Sequence, residues 1–519
     1  MNQMEPKAEK PLLWQVWLKR LFALARKNRT PLISGGIFGL LSYGYAFTNK
    51  LVNFDEVFTL FGKGGTWNLG RWGLELMHAL FPDYSMPWCY GIITLVLVVI
   101  AGTVILSTLK LQNSLLQVLL MGSLVCFPVL TATYVYMYTA SSYAVSLMLA
   151  ALGVWLLEQN PKKRFLPACL CLVFSVSIYQ AYIALAAVLM LVLLIQRLFS
   201  GERVRDVISR GLWFLSALAV SLIAYYAVVL FTTRVLGLAF SSYGEGNMDL
   251  GLANFPKKIL MAYRDFLEIL TKSRYRLVPT GLSRVLHEVL LSLTGLLYVL
   301  LWRSQEDKSA GRGLLLAALT LLLPLAINCM HLFTAEGAVH TLVLYSFVCF
   351  YFLPLSLGDL CLSRGAKGRA LPGLCLHGMT LAAGLIIAVN IFIANEVYLN
   401  LHLRYEAVYG FYTSVYSELR AQPNFHKHTE LALVGEYQEP RFEYVQFPFV
   451  FDMMGAEGYR PTDYSADRLM EYYFGHYLAL ADQETVQEIA ATPEFAEMPA
   501  YPNGGCMKMI GDTFVVKLS

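Results

Sequence analysis

Two adjacent carboxylates, Asp55 and Glu56, are the residues whose type and position best suit acid–base chemistry. They lie about seven residues after the first long apolar stretch, so they stand just outside a membrane if that stretch crosses one. Apolar neighbours such as Phe54, Val57 and Phe58 predict a half-buried helix at the membrane surface, beside a region of low dielectric. A carboxylate placed there could take the proton of an acceptor hydroxyl as a general base. The alternative is that both acids only solubilise an outer loop.

A second set of residues is suited to binding a sugar phosphate. Arg71, in the tripeptide Gly70-Arg71-Trp72, could hold a phosphate through two hydrogen bonds, and the Trp72 ring could stack on a sugar. Gln180 follows Tyr179 at a polar reversal between two apolar stretches, where it could bond a sugar hydroxyl. The tyrosines on the same predicted side, which could line a carbohydrate groove, are Tyr134, Tyr136, Tyr138 and Tyr143. An aromatic belt with a snorkelling arginine explains Arg71, Trp72 and the tyrosines as well, and Gln180 could simply cap exposed backbone.

A compact basic sequence, KSRYR, occupies residues 272–276 of a long loop. Its three cations, Lys272, Arg274 and Arg276, could clamp a lipid-linked phosphate near the membrane surface. An interaction with anionic lipid headgroups accounts for them equally well.

Patterns typical of metal ligands are weak in this chain. His331, Glu336 and His340 share one short loop, but their spacing matches no zinc-enzyme motif. The nine cysteines show no CxxC or Cys/His ligand spacing, and eight of them lie in or beside apolar runs. We therefore expect no metal site and no disulfide framework.

The composition indicates the class of protein that must position these residues. Of 519 residues, 57% are hydrophobic and 15% are charged, whereas globular proteins average about 45–50% apolar and about 25% charged residues. The mean hydropathy is +0.53. These values exclude a disordered chain, a coiled coil and a small disulfide scaffold, and they disfavour a soluble enzyme. The net charge of +4 is too small to indicate a nucleic-acid partner. We expect an all-α polytopic membrane protein.

Apolar stretches of about 20 residues predict membrane-spanning helices, and we expect about eleven of them. One stretch, 165–198, would be about 51 Å long as a single helix, well beyond a hydrocarbon core about 30 Å thick. We therefore divide it at Tyr179-Gln180 into two short spans. The predicted spans are 31–48, 87–109, 115–131, 141–157, 165–179, 181–197, 211–231, 285–302, 313–330, 341–360 and 373–397.

Lysine and arginine are concentrated in alternate short loops, which predicts that those loops lie in the cytoplasm. The sequence KKR at 162–164 is one example, whereas the opposite short loops 132–140, 179–180 and 331–340 contain neither residue. The basic N-terminus has no signal-peptide cleavage site, so we expect it to be retained inside. An odd number of spans then places the C-terminus outside.

The outer segments include a small folded domain. Strand patterns at 430–437 and 506–519, with a helix pattern at 483–498 between them, predict an α/β unit. The predicted organisation is a cytoplasmic basic N-terminus (1–30), a transmembrane domain (31–397) with outer loops 49–86 and 232–284, and an extracytoplasmic C-terminal domain (398–519).

Several short motifs follow one another along this background. They are Asp55-Glu56, Gly70-Arg71-Trp72, VYMYTASSYAVSLMLA at 135–150, SIYQAYI at 177–183, and the terminal strand sequences ALVGEY and FVVKLS. Each motif alone is short, but their order and spacing on about eleven spans form a more specific set. Together they resemble the Gtr-type bacterial membrane glucosyltransferases of the GT-C superfamily, and the similarity covers nearly the whole chain.

The resemblance implies a GT-C-type helix bundle that moves a hexose, usually glucose, from a polyprenyl-phosphate donor to a cell-surface polysaccharide such as O-antigen. It implies that Asp55 is the base and that Glu56 is its partner or substitute. Relatives often carry two aspartates here, so the Asp-Glu pair leaves open which acid takes the proton. In a single inverting displacement, Arg71 or the 272–276 cluster would offset the charge of the leaving phosphate.

The resemblance also implies a cellular context. The enzyme would lie in the bacterial cytoplasmic membrane, with lipid-linked glucose and the surface glycan meeting at its outer face. A polyprenyl-phosphate sugar synthase and a flippase would supply the donor. We expect no nucleotide or other cofactor, since the chain has neither a GxGxxG motif after a strand nor a P-loop.

Two other classes of protein compete with this interpretation. A polysaccharide polymerase or ligase also uses lipid-linked sugars, but we expect it to depend on basic residues of a large outer loop. A transporter or flippase of lipid-linked sugar would need ionisable residues at mid-membrane. The predicted spans hold almost none, because residues such as Glu158, His287 and Asp359 lie near span ends.

Overall fold

A bundle of helices forms most of the molecule, with one small sheet near the C-terminal end. The computed structural model describes residues 13–51, 53–61, 66–82, 84–238, 251, 254–272, 274–278, 281–364, 370–426, 429–437, 460–462 and 465–519. Over these residues the architecture confirms the predicted all-α polytopic membrane class.

The helices and strands are numbered in chain order. The α-helices of the described residues are α1 (Leu13–Lys27), α2 (Arg29–Thr48), α3 (Phe54–Phe61), α4 (Trp72–Met77), α5 (Pro87–Leu109), α6 (Ser114–Val125), α7 (Pro128–Val135), α8 (Met137–Gln159), α9 (Pro161–Ile178), α10 (Tyr182–Phe199), α11 (Val204–Arg234), α12 (Phe255–Lys272), α13 (Gly281–Arg303), α14 (Ala310–Ile327), α15 (Phe352–Ser363), α16 (Ala370–Ala421), α17 (Ala466–Phe474), α18 (Gln483–Ala490) and α19 (Pro493–Ala496). Short 3-10 helices are Trp67–Leu69, Arg274–Arg276, Cys329–Leu332 and Thr341–Tyr351. The strands are β1 (Glu430–Val434), β2 (Met507–Ile510) and β3 (Thr513–Lys517).

Nine helices in the described part of the chain are long and apolar enough to cross a membrane. They overlap nine of the eleven predicted spans. The two remaining predictions, 31–48 and 165–179, are helical as well, as α2 and α9. Glycine, serine and tyrosine dilute the apolar character of α2, and α9 begins with the charged sequence KKR. All eleven predicted positions are therefore helices, nine of them strongly apolar.

The division of the 34-residue apolar stretch is confirmed. Helix α9 ends at Ile178, and Tyr179 is extended, with φ −150° and ψ 112°. Helix α10 then begins at Tyr182. The reversal leaves Tyr179 and Gln180 at one end of the bundle, close to α4, which packs on α9.

The last predicted span belongs to a much longer helix. Helix α16 has 52 residues, which at about 1.5 Å per residue makes it about 78 Å long. The predicted domain boundary at residues 397–398 therefore falls inside a continuous helix. Beyond it, a helical stripe of α16 is buried against the C-terminal sheet, and its residues are Val408, Phe411, Tyr412, Val415 and Leu419.

The C-terminal residues form a compact α/β arrangement. The strand order is β1-β3-β2, with β1 parallel and β2 antiparallel to β3. Gly511, at φ +60°, lies in the turn that joins β2 to β3, so the predicted strand region 506–519 forms a hairpin. The helix pattern at 483–498 divides into α18 and α19, because Thr492 caps the second helix through the backbone N–H of Phe495. We call the sheet with α17–α19 the C-terminal unit.

Candidate active site

The acid pair lies in the first turn of α3. The Asn53 side-chain oxygen accepts the backbone N–H of Asp55 at 2.8 Å, and so satisfies one of the N–H groups that a helix start leaves without a partner in the helix. Both carboxylates sit where the helix dipole favours negative charge. The sequence therefore starts a short helix directly at its two acids.

The two carboxylates have different surroundings. The Glu56 side chain is 0% exposed, and its Oε1 lies 3.0 Å from Lys50 Nζ. The same oxygen accepts the backbone N–H of Ser85 at 3.2 Å. Burial alone would lower the pKa of Lys50, but the nearby Glu56 carboxylate outweighs burial and raises it. The Asp55 side chain is half-buried, so Asp55 is the more accessible acid.

Tyr138, one of the predicted groove tyrosines, faces the acid pair. The charges of Asp55 and Glu56 both reach its hydroxyl, and Tyr143 lies within the same electrostatic range. The Tyr138 ring is half-buried. Tyr138 is therefore within electrostatic range of both the acid pair and Tyr143, which bonds Arg71.

The structure brings together Arg71, Tyr179 and Gln180, which the sequence motifs had singled out separately. Arg71 Nε donates to Gln180 Oε1 at 3.3 Å, and Arg71 Nη1 donates to the Tyr143 hydroxyl at 3.3 Å. The guanidinium carbon lies 5.1 Å from the centre of the Tyr179 ring. Tyr143 and Tyr179 are stacked, with ring centres 4.1 Å apart. The guanidinium is thus oriented by an amide, a hydroxyl and an aromatic face.

A tyrosine that the sequence analysis missed fixes this cluster to a further helix. The Tyr225 hydroxyl, on α11, donates to the Gly70 carbonyl at 3.0 Å, and Gln180 Nε2 donates to the Tyr225 hydroxyl at 3.2 Å. Gln180 Nε2 also donates to the Leu69 carbonyl at 3.1 Å. Gly70 adopts φ +68°, a left-handed conformation that favours glycine and turns the chain into Arg71.

Trp72 occupies a packing position next to this cluster. Only 8% of the residue is exposed, and its ring lies 5.7 Å from Phe174 in an edge-to-face contact. The following Gly73 touches α9, since a Cβ at this position would lie 2.1 Å from Ser177 Oγ. Little of the Trp72 ring is left for the predicted stacking on a sugar.

His340 lies beside the same arginine. Burial, and then the charge of Arg71, lower the pKa of His340 to about 4. The imidazole is therefore neutral near pH 7 and adds no positive charge to the site. Arg71 thus supplies positive charge to this cluster from a side chain that cannot be deprotonated.

Acidic side chains offset much of the positive charge of the predicted 272–276 cluster. Lys272 Nζ lies 3.0 Å from Glu268 Oε1, and Arg274 Nη1 lies 2.8 Å from Glu268 Oε2 and also contacts Asp265. Hydrogen bonds from these cations, led by that of Lys272, lower the pKa of Glu268 to about 2. The Arg276 side chain lies outside the described residues. A phosphate would have to compete with two carboxylates here.

Metal-ligating side chains do not converge in the described ranges. No three or more histidines, cysteines, aspartates or glutamates there are grouped so as to hold a metal ion. His331 instead lies with its Nε2 atom 2.9 Å from Asp265 Oδ2. The nine cysteines are free thiols.

Taken together, the acid pair, Tyr138 and the Arg71 cluster form one polar region at one end of the bundle. It offers an accessible carboxylate that can accept a proton, and a fixed cation that can stabilise an oxyanion. Comparison of the whole chain with curated proteins and with solved structures finds no match. A family comparison does find one: the model of the family described as Glucosyl transferase GtrII matches residues 44–351, which include α3, the Arg71 cluster, Tyr225 and His340. The match covers more than half of the chain, and the protein therefore belongs to the GtrII glucosyltransferase family.

Proposed function

We propose that this member of the GtrII family is a GT-C-type glycosyltransferase that moves glucose from a polyprenyl-phosphate donor to a cell-surface polysaccharide, such as O-antigen. One observation carries the proposal: a half-buried carboxylate, Asp55, and an arginine oriented by Gln180 and Tyr143, Arg71, lie at the same end of a membrane helix bundle. A lipid-linked sugar phosphate needs both a polar head site and a lipid phase for its tail. This end of the bundle meets both needs.

The chemistry is a single displacement. Asp55 takes the proton of an acceptor hydroxyl, and the hydroxyl oxygen forms a bond to the anomeric carbon as the bond from that carbon to the phosphate oxygen breaks. The phosphate leaves with the bonding electron pair, and Arg71 offsets its charge. Attack opposite the leaving group inverts the anomeric configuration. Tyr138 and Gln180 would contact the sugar or the acceptor, whereas Tyr179, of which only 3% is exposed, would orient Arg71.

The reaction is placed at the outer face of the bacterial cytoplasmic membrane, with the N-terminus inside and the C-terminus outside. The distribution of basic residues supports this orientation. Lys110, at the far end of α5 from the acid loop, pairs with the buried Glu158 at 3.1 Å, and Arg197 contacts the same carboxylate. Basic residues thus mark the end opposite to Asp55, as expected for a cytoplasmic side. A synthase for the lipid-linked sugar and a flippase would act earlier in the sequence.

The direct test uses purified protein in nanodiscs with polyprenyl-phosphate-glucose labelled in the sugar, and UDP-glucose as the comparison donor. Membranes carrying surface glycan provide the acceptor. We expect release of polyprenyl phosphate with transfer of label to glycan, and no transfer from UDP-glucose. Transfer from UDP-glucose alone would overturn the donor assignment. Movement of lipid-linked glucose between leaflets of liposomes, without cleavage, would instead support a transporter.

A further inference from the structure

The C-terminal unit is in direct contact with the helix that carries the acid pair. The Ser465 hydroxyl, at the start of α17, donates to the Phe54 carbonyl at 2.9 Å. Val57 of α3 is completely buried in the same hydrophobic cluster as Leu469 and Met470 of α17. More than 400 residues of chain separate these partners, so the contact must be specified by tertiary packing.

Lys50 joins this contact to the acid pair. Its Nζ atom lies 3.0 Å from Glu56 Oε1 and 5.5 Å from the centre of the Tyr472 ring on α17. The Lys50 side chain is 32% exposed, whereas the Glu56 side chain is 0% exposed. The Lys50 ammonium group therefore makes both a partly buried ion pair with Glu56 and a cation–π contact with Tyr472.

Glu56 is poorly suited to collect a proton from a substrate. Its Oε1 atom already lies 3.0 Å from the Lys50 ammonium and accepts the Ser85 backbone N–H at 3.2 Å. Its full burial also denies an acceptor hydroxyl direct access. Asp55 lies one residue earlier in the same helix turn, and its side chain is only half-buried.

We propose that Lys50, Glu56 and Tyr472 form a positioning clamp that holds α3 between the membrane bundle and the C-terminal unit, so that Asp55 alone acts as the base. The clamp fixes the rotation of α3 about its axis, and with it the direction of the Asp55 carboxylate. This inference rests on the proposed glucosyl transfer. It goes further by giving the two adjacent acids different roles and the C-terminal unit a part in the catalytic site.

A cycle of neutral substitutions tests the clamp. Lys50→Met leaves the buried Glu56 carboxylate without its cation, so we expect kcat to fall at least about tenfold. Glu56→Gln keeps the shape and the acceptor oxygen, so activity should stay within about tenfold of wild type, with the same acid limb in the pH profile of kcat/KM. Lys50→Met/Glu56→Gln removes the buried carboxylate along with the lysine but still lacks the Lys50 contacts to residue 56 and Tyr472, so the double variant should recover only part of the activity lost in Lys50→Met.

A matched ion pair provides the control. Lys257 and Glu336 lie 2.5 Å apart but are 61% and 66% exposed, so the same cycle of Met and Gln substitutions there should change kcat less than about twofold. If Glu56→Gln loses the acid limb, or if the double variant is as inactive as Asp55→Asn, Glu56 is the base and the clamp is wrong.

A measurement that needs no turnover tests the clamp independently of the proposed reaction. We expect amide hydrogen exchange of residues 54–61 and 466–474 to increase together in Lys50→Met, to stay above the wild-type level in the double variant, which also lacks the Lys50 contacts, and to stay unchanged in the Lys257 control. Unchanged exchange in Lys50→Met would overturn the clamp even if wild-type protein transfers glucose. Conversely, wild-type protein without glucosyl transfer would overturn the proposed function, while the exchange data would still decide the clamp.

Discussion

At the scale of single residues, the main feature is an arginine whose direction is fixed by an amide, a hydroxyl and an aromatic ring. Gln180, Tyr143 and the Tyr179 ring orient the Arg71 guanidinium. By contrast, Arg274 contacts two carboxylates, and a phosphate there would have to displace them. We therefore assign the phosphate to Arg71 in the proposed reaction.

Arg71→Lys tests this assignment. Lysine keeps the charge, but it cannot make the two directed bonds to Gln180 and Tyr143. We expect kcat for glucosyl transfer to fall about 10²-fold, measured with labelled donor at saturation. Arg203→Lys is the matched control, because the Arg203 side chain is 85% exposed and pairs with Asp206 near the other end of the bundle. This variant should behave as wild type. Full activity of Arg71→Lys would contradict the role given to the guanidinium.

Tyr225→Phe tests the support of the arginine cluster. The change removes one hydroxyl that bonds both Gly70 and Gln180, at a cost of about 1 kcal/mol for each lost bond. We expect activity to fall about three- to tenfold with donor binding weakened, as measured by the initial rate over a range of donor concentrations. Tyr226→Phe, the neighbouring residue, which is 44% exposed, serves as the control.

Residue type and order singled out Arg71, Tyr179 and Gln180 separately, because short motifs at loop tips stand out against apolar spans; that the three contact one another is visible only in the fold. Tyr225 was not predicted, since a tyrosine inside an apolar helix gives no signal for the direction of its hydroxyl. Lys50 was missed for a similar reason. A lysine at the end of a span is typical of a side chain that snorkels to water, and its buried partner is visible only in the fold.

At the scale of elements, the close packing of α4 on α9 sets the position of Arg71. A Cβ on Gly73 would lie 2.1 Å from Ser177 Oγ and 2.9 Å from the Ser177 backbone carbon. Gly73→Ala should therefore push α4 off α9, lower the free energy of unfolding by about 1–3 kcal/mol and reduce glucosyl transfer. Gly44→Ala is the control, because no atom lies within 4 Å of a Cβ there. Thermal unfolding in nanodiscs and activity assays would report both effects.

The α12 segment should show a defined pH dependence. The Lys272, Arg264 and Arg274 side chains donate to Glu268 and lower its pKa from 4.5 to about 2. Because the folded-state pKa lies below the unfolded value, this contribution to stability is complete above pH 4.5 and is lost as the pH falls from 4.5 towards 2. Protection factors for exchange at 255–272 should decrease over that window in wild type but not in Glu268→Gln. The same decrease in both proteins would contradict the prediction.

Apolar periodicity and length predicted the helices well, including the break at Tyr179. Length alone could not predict where α16 ends. Polar residues such as Asn395 and Glu396 interrupt its apolar run, whereas the stripe from Val408 to Leu419 continues the helix by packing on the C-terminal sheet. The strands that this stripe packs on lie about 20 to 100 residues further along the chain, so no local sequence pattern reveals the contact.

At the scale of the whole molecule, the two ends of the bundle carry different chemistry. One end holds the acid pair, the Arg71 cluster and the C-terminal unit that packs on α3. The other holds the buried Glu158 with Lys110 and Arg197. This polarity fits a reaction confined to one face of a membrane, with lipid-linked donor and polymeric acceptor meeting beside Asp55.

The central claim is that Asp55 is the base of a membrane glucosyl transfer, and the most direct measurement compares wild type with Asp55→Asn under saturating polyprenyl-phosphate-glucose. We expect label transfer to glycan to fall about 10²–10⁴-fold, with donor affinity within about twofold of wild type. Asp206→Asn, at an exposed ion pair, should keep full activity. Transfer by Asp55→Asn at the wild-type rate would contradict the account.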